Sequence, residues 1–237
     1  MIKPDKSNQD SKKIQIKDMF NDISSKYDRI NKMMTLNMDK YWRKIVYNLS
    51  MKDNPSKIID IATGTGDIAL CFANDDVQVI GVDNASMMLD IANTKVAETP
   101  NVKFQLEDAE NMSFEDNTFD AATVGFGVRN FEDLNQGLRE IKRVLKPGKN
   151  LIILETAVPP FFIFRFGYFL YTKLIIPILG TMIAKNQQAY QYLSASAEQF
   201  PHGKEFQLIL EKAGFKNIKI KYLSLGIVNI YQASKPV

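Results

Sequence analysis

The feature that most limits how this chain can fold is Asp60-Ile61-Ala62-Thr63-Gly64-Thr65-Gly66-Asp67, a glycine-rich turn directly behind the apolar run Lys57–Ile61. A short apolar run that ends in closely spaced glycines reads as a buried strand feeding a tight turn, since glycine alone combines the necessary backbone freedom with room for close approach. Gly64-Thr65-Gly66-Asp67-Ile68-Ala69 satisfies G-x-G-x-x-G/A, and Asp83 follows roughly 20 residues on, at the end of a second apolar run, Val77–Val82. Two adjacent strands with a ligand-binding turn at their carboxyl ends are the expected result.

Around that turn, short apolar runs alternate with amphipathic segments, the pattern of an α/β domain with a largely parallel sheet. Further strands are expected at Val102–Leu106, Phe119–Val124 and Leu151–Leu154. Helices are expected through Ala69–Phe72, over Ala85–Glu98 and over Leu134–Leu145, the last stopped by Lys146-Pro147-Gly148. A helix over Phe206–Ala213, capped by Gly214, precedes two strands, Ile218–Tyr222 and Val228–Ala233, close enough to pair antiparallel. Residues 14–50 have helical periodicity, with Ile16, Met19, Phe20 and Ile23 on one face and Tyr41, Trp42, Ile45, Val46 and Leu49 later. The expected organisation is an N-terminal helical cap on the substrate side (residues 1–54) and an α/β domain (55–237) with an apolar helical insertion at about 159–200. A mostly parallel, Rossmann-like sheet of seven strands with helices on both faces and an antiparallel end pair is the class I methyltransferase arrangement, a likeness of fold.

The glycine turn alone fits NAD and S-adenosylmethionine equally, because an acid at Asp83 can accept both ribose hydroxyls of either. Asp67 leans against NAD. A dinucleotide sets its pyrophosphate at the helix N-terminus, where a carboxylate adds like charge. S-adenosylmethionine carries no phosphate and offers an ammonium instead; a plain helix-starting role for Asp67 is the other reading. Glu107-Asp108-Ala109-Glu110 after the third strand weighs more, since Asp108 can accept from the adenine amine while Ala109 leaves room for the ring. The loop, Asp83 and Asp108-Ala109 converge on the carboxyl edge of the sheet, and together they favour S-adenosylmethionine.

Two further stretches narrow the reading. Tyr27-Asp28-Arg29-Ile30-Asn31-Lys32-Met33-Met34-Thr35, on to Trp42, resembles the N-terminal signature of the ubiquinone/menaquinone biosynthesis C-methyltransferase family. Arg143-Val144-Leu145-Lys146-Pro147-Gly148, on to Leu154-Glu155-Thr156, resembles its second signature, and Gly125-Phe126-Gly127-Val128-Arg129-Asn130 its F-G-[LV]-R-N stretch. The similarity runs from about Phe20 to the C-terminus. The chain departs from the family at Asp39 (usually His), Lys149 (usually Gly) and Thr156 (usually Ser). The resemblance implies methylation of a ring carbon of a polyprenylated quinol, demethylmenaquinol or the related ubiquinone precursor. It also implies cofactor contacts from Thr65, Asp83, Asp108, Ala109 and Gly125, beside Gly64 and Gly66, whose place in the turn lets the backbone approach the ligand.

A ring carbon becomes nucleophilic when a neighbouring hydroxyl loses its proton, so a group that favours the phenolate is useful. Arg129 can do so electrostatically, and Asn130 can position the hydroxyl or a water; a structural ion pair with a helix-capping Asn is the alternative. Tyr27 can bond the ring, though a Tyr on an amphipathic helix more often packs in a core. His202, the one histidine, sits in a Pro-His-Gly loop and reads as exposed rather than as a base.

Composition removes other classes. A net charge of +3 with 24% charged residues gives no concentrated basic face for nucleic acid. The single cysteine, Cys71, and a polar N-terminus without an apolar leader suit the cytoplasm. The run from Pro159 to Ala184 is dense in aromatics, but Arg165, Lys173 and Pro177 interrupt it, so it reads as buried or as touching a membrane surface without spanning. It suits an isoprenoid tail or, alternatively, a homodimer contact. A methyltransferase of another amphipathic molecule, such as a sterol, and a cofactor-binding scaffold without catalysis remain open at this point.

Overall fold

The computed structural model describes residues 2–5, 7–96, 99–159, 162–170 and 187–237. Two helices lead. α1 (Lys12–Met34) begins at Ser11, whose hydroxyl accepts from the Ile14 amide at 3.3 Å, and α2 (Met38–Ser50) follows a three-residue turn. Leu36 and Asn37 both take positive φ there. The periodicity over 14–50 did not show this break, because neither glycine nor proline marks it.

The remaining elements are β1 (Lys57–Ile61), β2 (Gln78–Asp83), α3 (Ser86–Lys95), β3 (Val102–Leu106), β4 (Phe119–Gly125), α4 (Leu134–Val144) and β5 (Leu145–Thr156). They are followed by α5 (Phe162–Leu170), α6 (Gln187–Gln199), α7 (Lys204–Lys212), β6 (Lys216–Leu223) and β7 (Val228–Ser234). The strands form one sheet in the order β3-β2-β1-β4-β5-β7-β6. β1 to β5 run parallel, and β7 lies antiparallel between β5 and β6. The chain order reverses between β1 and β4, so loops leaving these two strands flank a crevice where such sheets take ligands.

Alternation along the strands builds a core on each face. Ile59 and Ile61 join Val124, Ile153 and Tyr231 beneath Leu138 and Ile141 of α4 and Phe206 and Leu210 of α7. Ile58, Val79, Ala121 and Ile152 instead meet Trp42, Ile45 and Val46 of α2. A third cluster lies outside the sheet, where Ile16, Met19, Ile23 and Ile30 of α1 pack with Met88 of α3 and Tyr190, Tyr192 and Leu193 of α6.

Two local expectations are corrected. Ala69–Phe72 is a single 3-10 turn, so Asp67 does not open an α-helix and the dipole argument against a pyrophosphate loses its footing. Lys146-Pro147-Gly148 does not cap α4; the helix ends at Val144, and β5 already runs through these residues. Pro147 drives Lys146 to an extended backbone. Gly148 uses its positive φ (74°) inside a register shift against β4, where its amide donates to Lys235 O at 3.0 Å. Lys173 and Pro177, expected to interrupt the apolar run, lie outside the described residues, as does Glu98 at the end of the third expected helix.

Candidate active site

The glycine turn is shaped from below by a buried acid. Asp60, fully enclosed at the centre of the sheet, accepts from Thr63 Oγ1 at 2.5 Å and from Thr123 Oγ1 on β4 at 2.7 Å. Burial pushes its carboxyl up to about 6, against the lowering effect of those hydroxyls. Gly64 and Gly66 both take positive φ, and a Cβ on Gly66 would stand 2.5 Å from the Phe104 ring. The turn is latched to β2 by Asp83, whose two carboxylate oxygens accept from the amides of Gly64 (2.8 Å) and Ala85 (2.9 Å).

Two cavities open beyond the strands. The smaller, about 80 Å³, is lined by Gly64, Asp83, Asp108 and Ala109, and is covered by Lys13, Ile16 and Phe20 of α1. Asp108 Oδ2 stands 2.7 Å from Lys13 Nζ, and its Oδ1 accepts from the Glu110 amide at 2.9 Å. The larger, about 560 Å³, is mainly apolar, with Met34, Met38, Trp42, Phe164, Tyr168 and Ile227 among its walls. Tyr27, Ala62, Gly64, Gly125 and Phe126 line both, so the cavities meet at a seam over the ends of β1 and β4. Ala62 and Phe126 hold φ of 52° and 56° there, a conformation that costs a non-glycine residue about 1–3 kcal/mol and is typical of functional sites.

The structure brings Gly64, Asp83, Asp108, Ala109, Gly125, Asn130 and Tyr27 together on the smaller cavity, and Arg129 on the larger. Thr65 stands apart from that group. It lines the larger cavity, and its hydroxyl donates to Asp28 Oδ1 at 2.5 Å. Gly66 lines neither cavity; its lack of a side chain serves the fit against Phe104. Asp67 is paired with Arg43 and, at 3.0 Å, with Lys95. Lys95 also bonds Asp28 at 2.6 Å, and Arg43 bonds Asp39 at 2.7 Å, so one charged network ties α1, α2 and α3 to the turn. Asp39, one of the departures from the family pattern, thus has a partner of its own.

Tyr27 meets Phe20 edge-on at 5.9 Å, and burial raises its hydroxyl above the usual range, against a hydrogen bond with Asn31 and the Arg129 charge. Arg129 is buried against Glu155 of β5. Asn130 Oδ1 accepts from Tyr192 of α6 at 3.2 Å. His202 Nδ1 lies 3.3 Å from Phe200 O and lines neither cavity.

Lys12, Lys13, Tyr192 and Glu155 were missed as site residues. Lys12 is 4% exposed, with Nζ on the carbonyls of Arg129 (3.0 Å) and Phe131 (2.5 Å), and burial lowers its pKa to about 8. Nothing in the polar N-terminal sequence marks either lysine. Glu155 did carry a signal, as an acid directly behind the apolar run Leu151–Leu154.

A seven-stranded sheet with an antiparallel end pair, a glycine turn after β1 and an acid closing β2 give the fold of a class I methyltransferase. Solved structures share this fold. A Thermotoga maritima S-adenosylmethionine-dependent methyltransferase superposes with a TM-score of 0.63 over 93% of this chain and 99% of its own, at 20% identity. A Haemonchus contortus phosphoethanolamine N-methyltransferase with bound S-adenosyl-L-methionine gives 0.60 over 83% of this chain and 53% of its own, at 18% identity. The chain belongs to the ubiE/COQ5 methyltransferase family, whose model matches residues 7–235. It is 38% identical over 239 residues to the demethylmenaquinone methyltransferase of Bacteroides fragilis, covering 99% of this chain and 97% of that protein.

Proposed function

We propose that this enzyme methylates a ring carbon of a polyprenylated quinol, with demethylmenaquinol as the substrate. The single observation that carries the reading is the seam, where a small cavity lined by four acids (Asp83, Glu107, Asp108 and Glu110) meets a large, mainly apolar one with Arg129 at its wall. The name shared by full-length relatives at 36–39% identity supports the naphthoquinol over the benzoquinol of the ubiquinone pathway.

In this reading Asp83 receives the ribose hydroxyls, Asp108 the adenine amine, and the backbone of Gly64 and Gly125 the methionine end, with Ala109 giving the ring clearance. Thr65 and Gly66 act one step back by shaping the turn. When bound, S-adenosylmethionine supplies an electrophilic methyl group. The chain contributes alignment, which is a large part of such a rate enhancement, and a cation beside the acceptor. Arg129 favours loss of the proton from the quinol hydroxyl, Asn130 orients that hydroxyl, and Tyr27 packs against the ring at the seam. The isoprenoid tail leaves through the apolar mouth.

That mouth supports peripheral contact of a cytoplasmic enzyme with a membrane. Leu36 (77% exposed), Ile163 (79%) and Leu225 (61%) line it, and Phe162 (82%) stands beside it on α5. No helix among the described residues is long and apolar enough to cross a bilayer. Residues 1–54 and the described part of the insertion, residues 162–170 and 187–199, then cover the substrate side of the cofactor-binding domain, with α1 reaching over the cofactor side as well.

The test is anaerobic turnover of chemically reduced demethylmenaquinol with S-adenosylmethionine, read by mass spectrometry. A product heavier by one methylene, formed from the reduced acceptor and not from the oxidised quinone, is expected. Cofactor binding without any methylated quinol would overturn the reading.

A further inference from the structure

We propose that Glu155, at the end of β5, is the positioning residue of this site: it fixes the orientation of Arg129 and sets how much positive charge the large cavity receives. The inference rests on the reading of Arg129 as the group beside the quinol hydroxyl.

Glu155 is 1% exposed and Arg129 8%. Arg129 Nη1 donates to Glu155 Oε1, and the same oxygen accepts from the Thr156 amide at 2.8 Å and from Thr156 Oγ1 at 3.1 Å. The carboxylate is thus clamped by its own strand, and the guanidinium is held against a fixed point. Thr156 and Arg129 both line the large cavity, so the clamp sits at its wall.

The pairing is one-sided. Among the described residues, Glu155 Oε2 and Arg129 Nε are buried without a hydrogen bond, and so is Oδ1 of Asn229, the residue directly opposite Glu155 on β7. Arginine–carboxylate pairs frequently adopt the two-bond fork, which satisfies both edges. A buried pair left half satisfied is a poor stabiliser, since desolvation offsets its attraction. Its retention at the cavity wall has an explanation in charge control.

Among the described residues, the ionisable groups facing Arg129 are Tyr27 and Lys12 of α1, Tyr168 of α5, Tyr192 of α6 and Glu155 of β5. The three tyrosines are neutral at physiological pH. Glu155 is therefore the anion in that set, and it converts a full cation at the cavity wall into a dipole. A quinol hydroxyl bound beside the pair is acidified by that dipole, less than by an isolated guanidinium.

Three variants read this out through the rise of kcat with pH that marks ionisation of the bound quinol. Glu155→Gln keeps an acceptor in place and removes the charge, so the rise should move to lower pH by about one unit. Glu155→Asp keeps the charge and withdraws it by one methylene, so kcat should fall about tenfold or more with the rise unmoved. The KM for S-adenosylmethionine should stay at the wild-type value in both. A profile for Glu155→Gln that superimposes on wild type, or wild-type kcat in Glu155→Asp, overturns the inference. If Glu155→Gln fails to fold, as judged by thermal unfolding, Glu155→Asp decides alone. Arg129→Lys separates the two levels: unchanged kcat and profile there would remove the role of Arg129 and the inference with it. A changed Arg129→Lys beside two silent Glu155 variants would remove the inference only.

Discussion

Lys13 of α1 reaches over the smaller cavity to Asp108, Nζ to Oδ2 at 2.7 Å, so a helix near the start of the chain closes on the acid proposed to receive adenine. Lys12, its neighbour, holds the carbonyls of Arg129 and Phe131 from the same turn of helix. α1 therefore touches the proposed cofactor site and the proposed substrate site together. Both partners of the Lys13–Asp108 pair are about one-third exposed, which limits its worth to about 0.5–1 kcal/mol.

Lys13→Met should consequently release S-adenosylmethionine about two- to five-fold faster, and added salt should bring the wild type towards the variant. Stopped-flow dissociation measures this. A variant that releases cofactor at the wild-type rate at every salt concentration would show that α1 does not hold the site closed.

Asp83 carries two roles, as latch of the turn and as proposed ribose acceptor. Asp83→Ala should weaken cofactor binding by about 10- to 100-fold, the worth of hydrogen bonds to a charged group. Calorimetric titration gives the affinity directly. Wild-type affinity in this variant would mean that the ribose lies elsewhere.

The strands, their order of appearance and the carboxyl-edge cluster were legible in the sequence because each rests on local signals. Ile58 and Ile59 alternate between opposite cores, and Gly64, Asp83 and Asp108 close successive strands. The break at Leu36-Asn37 was not legible, since neither glycine nor proline marks it and Leu36 takes a left-handed backbone that an aliphatic side chain rarely adopts. The strand through Lys146-Pro147-Gly148 was misread for a related reason: the same residues that end a helix also satisfy a register shift beside Lys235, 87 or more residues later in the chain. Tyr192 and Lys12 reach Asn130 and Arg129 across large sequence separations, and no local pattern announces such contacts.

Asp60 gives the fold a distinct pH dependence. Its folded pKa, raised by burial to about 6, lies above the ordinary aspartate value of 3.8, so the folded state holds its proton longer. The associated stability is complete below about pH 4 and is lost as pH rises through 6, by an amount on the order of 1–3 kcal/mol. Asp60→Asn should remove that decline, seen as the difference between urea-unfolding free energies of the two proteins from pH 4 to 7. Parallel curves for variant and wild type would contradict the assignment.

The apolar mouth makes a separable prediction about lipid. Full burial of a Phe or Ile side chain is worth about 1.5–3 kcal/mol, and partial insertion less. Phe162→Ser with Ile163→Ser should lower binding to phospholipid vesicles by about tenfold or more and slow turnover of vesicle-held quinol. Turnover of a short-tailed, water-dispersed quinol should be unaffected. Equal vesicle binding by variant and wild type in flotation would place the membrane face elsewhere.

The most direct test of the whole account offers the enzyme two acceptors at once, reduced demethylmenaquinol and the benzoquinol precursor of ubiquinone, with methyl-labelled S-adenosylmethionine. The account predicts label on a ring carbon of the naphthoquinol, formed faster than on the benzoquinol and abolished by Arg129→Met with cofactor affinity retained. Label on neither acceptor while the cofactor binds tightly, or full labelling by the Arg129→Met variant, would contradict it.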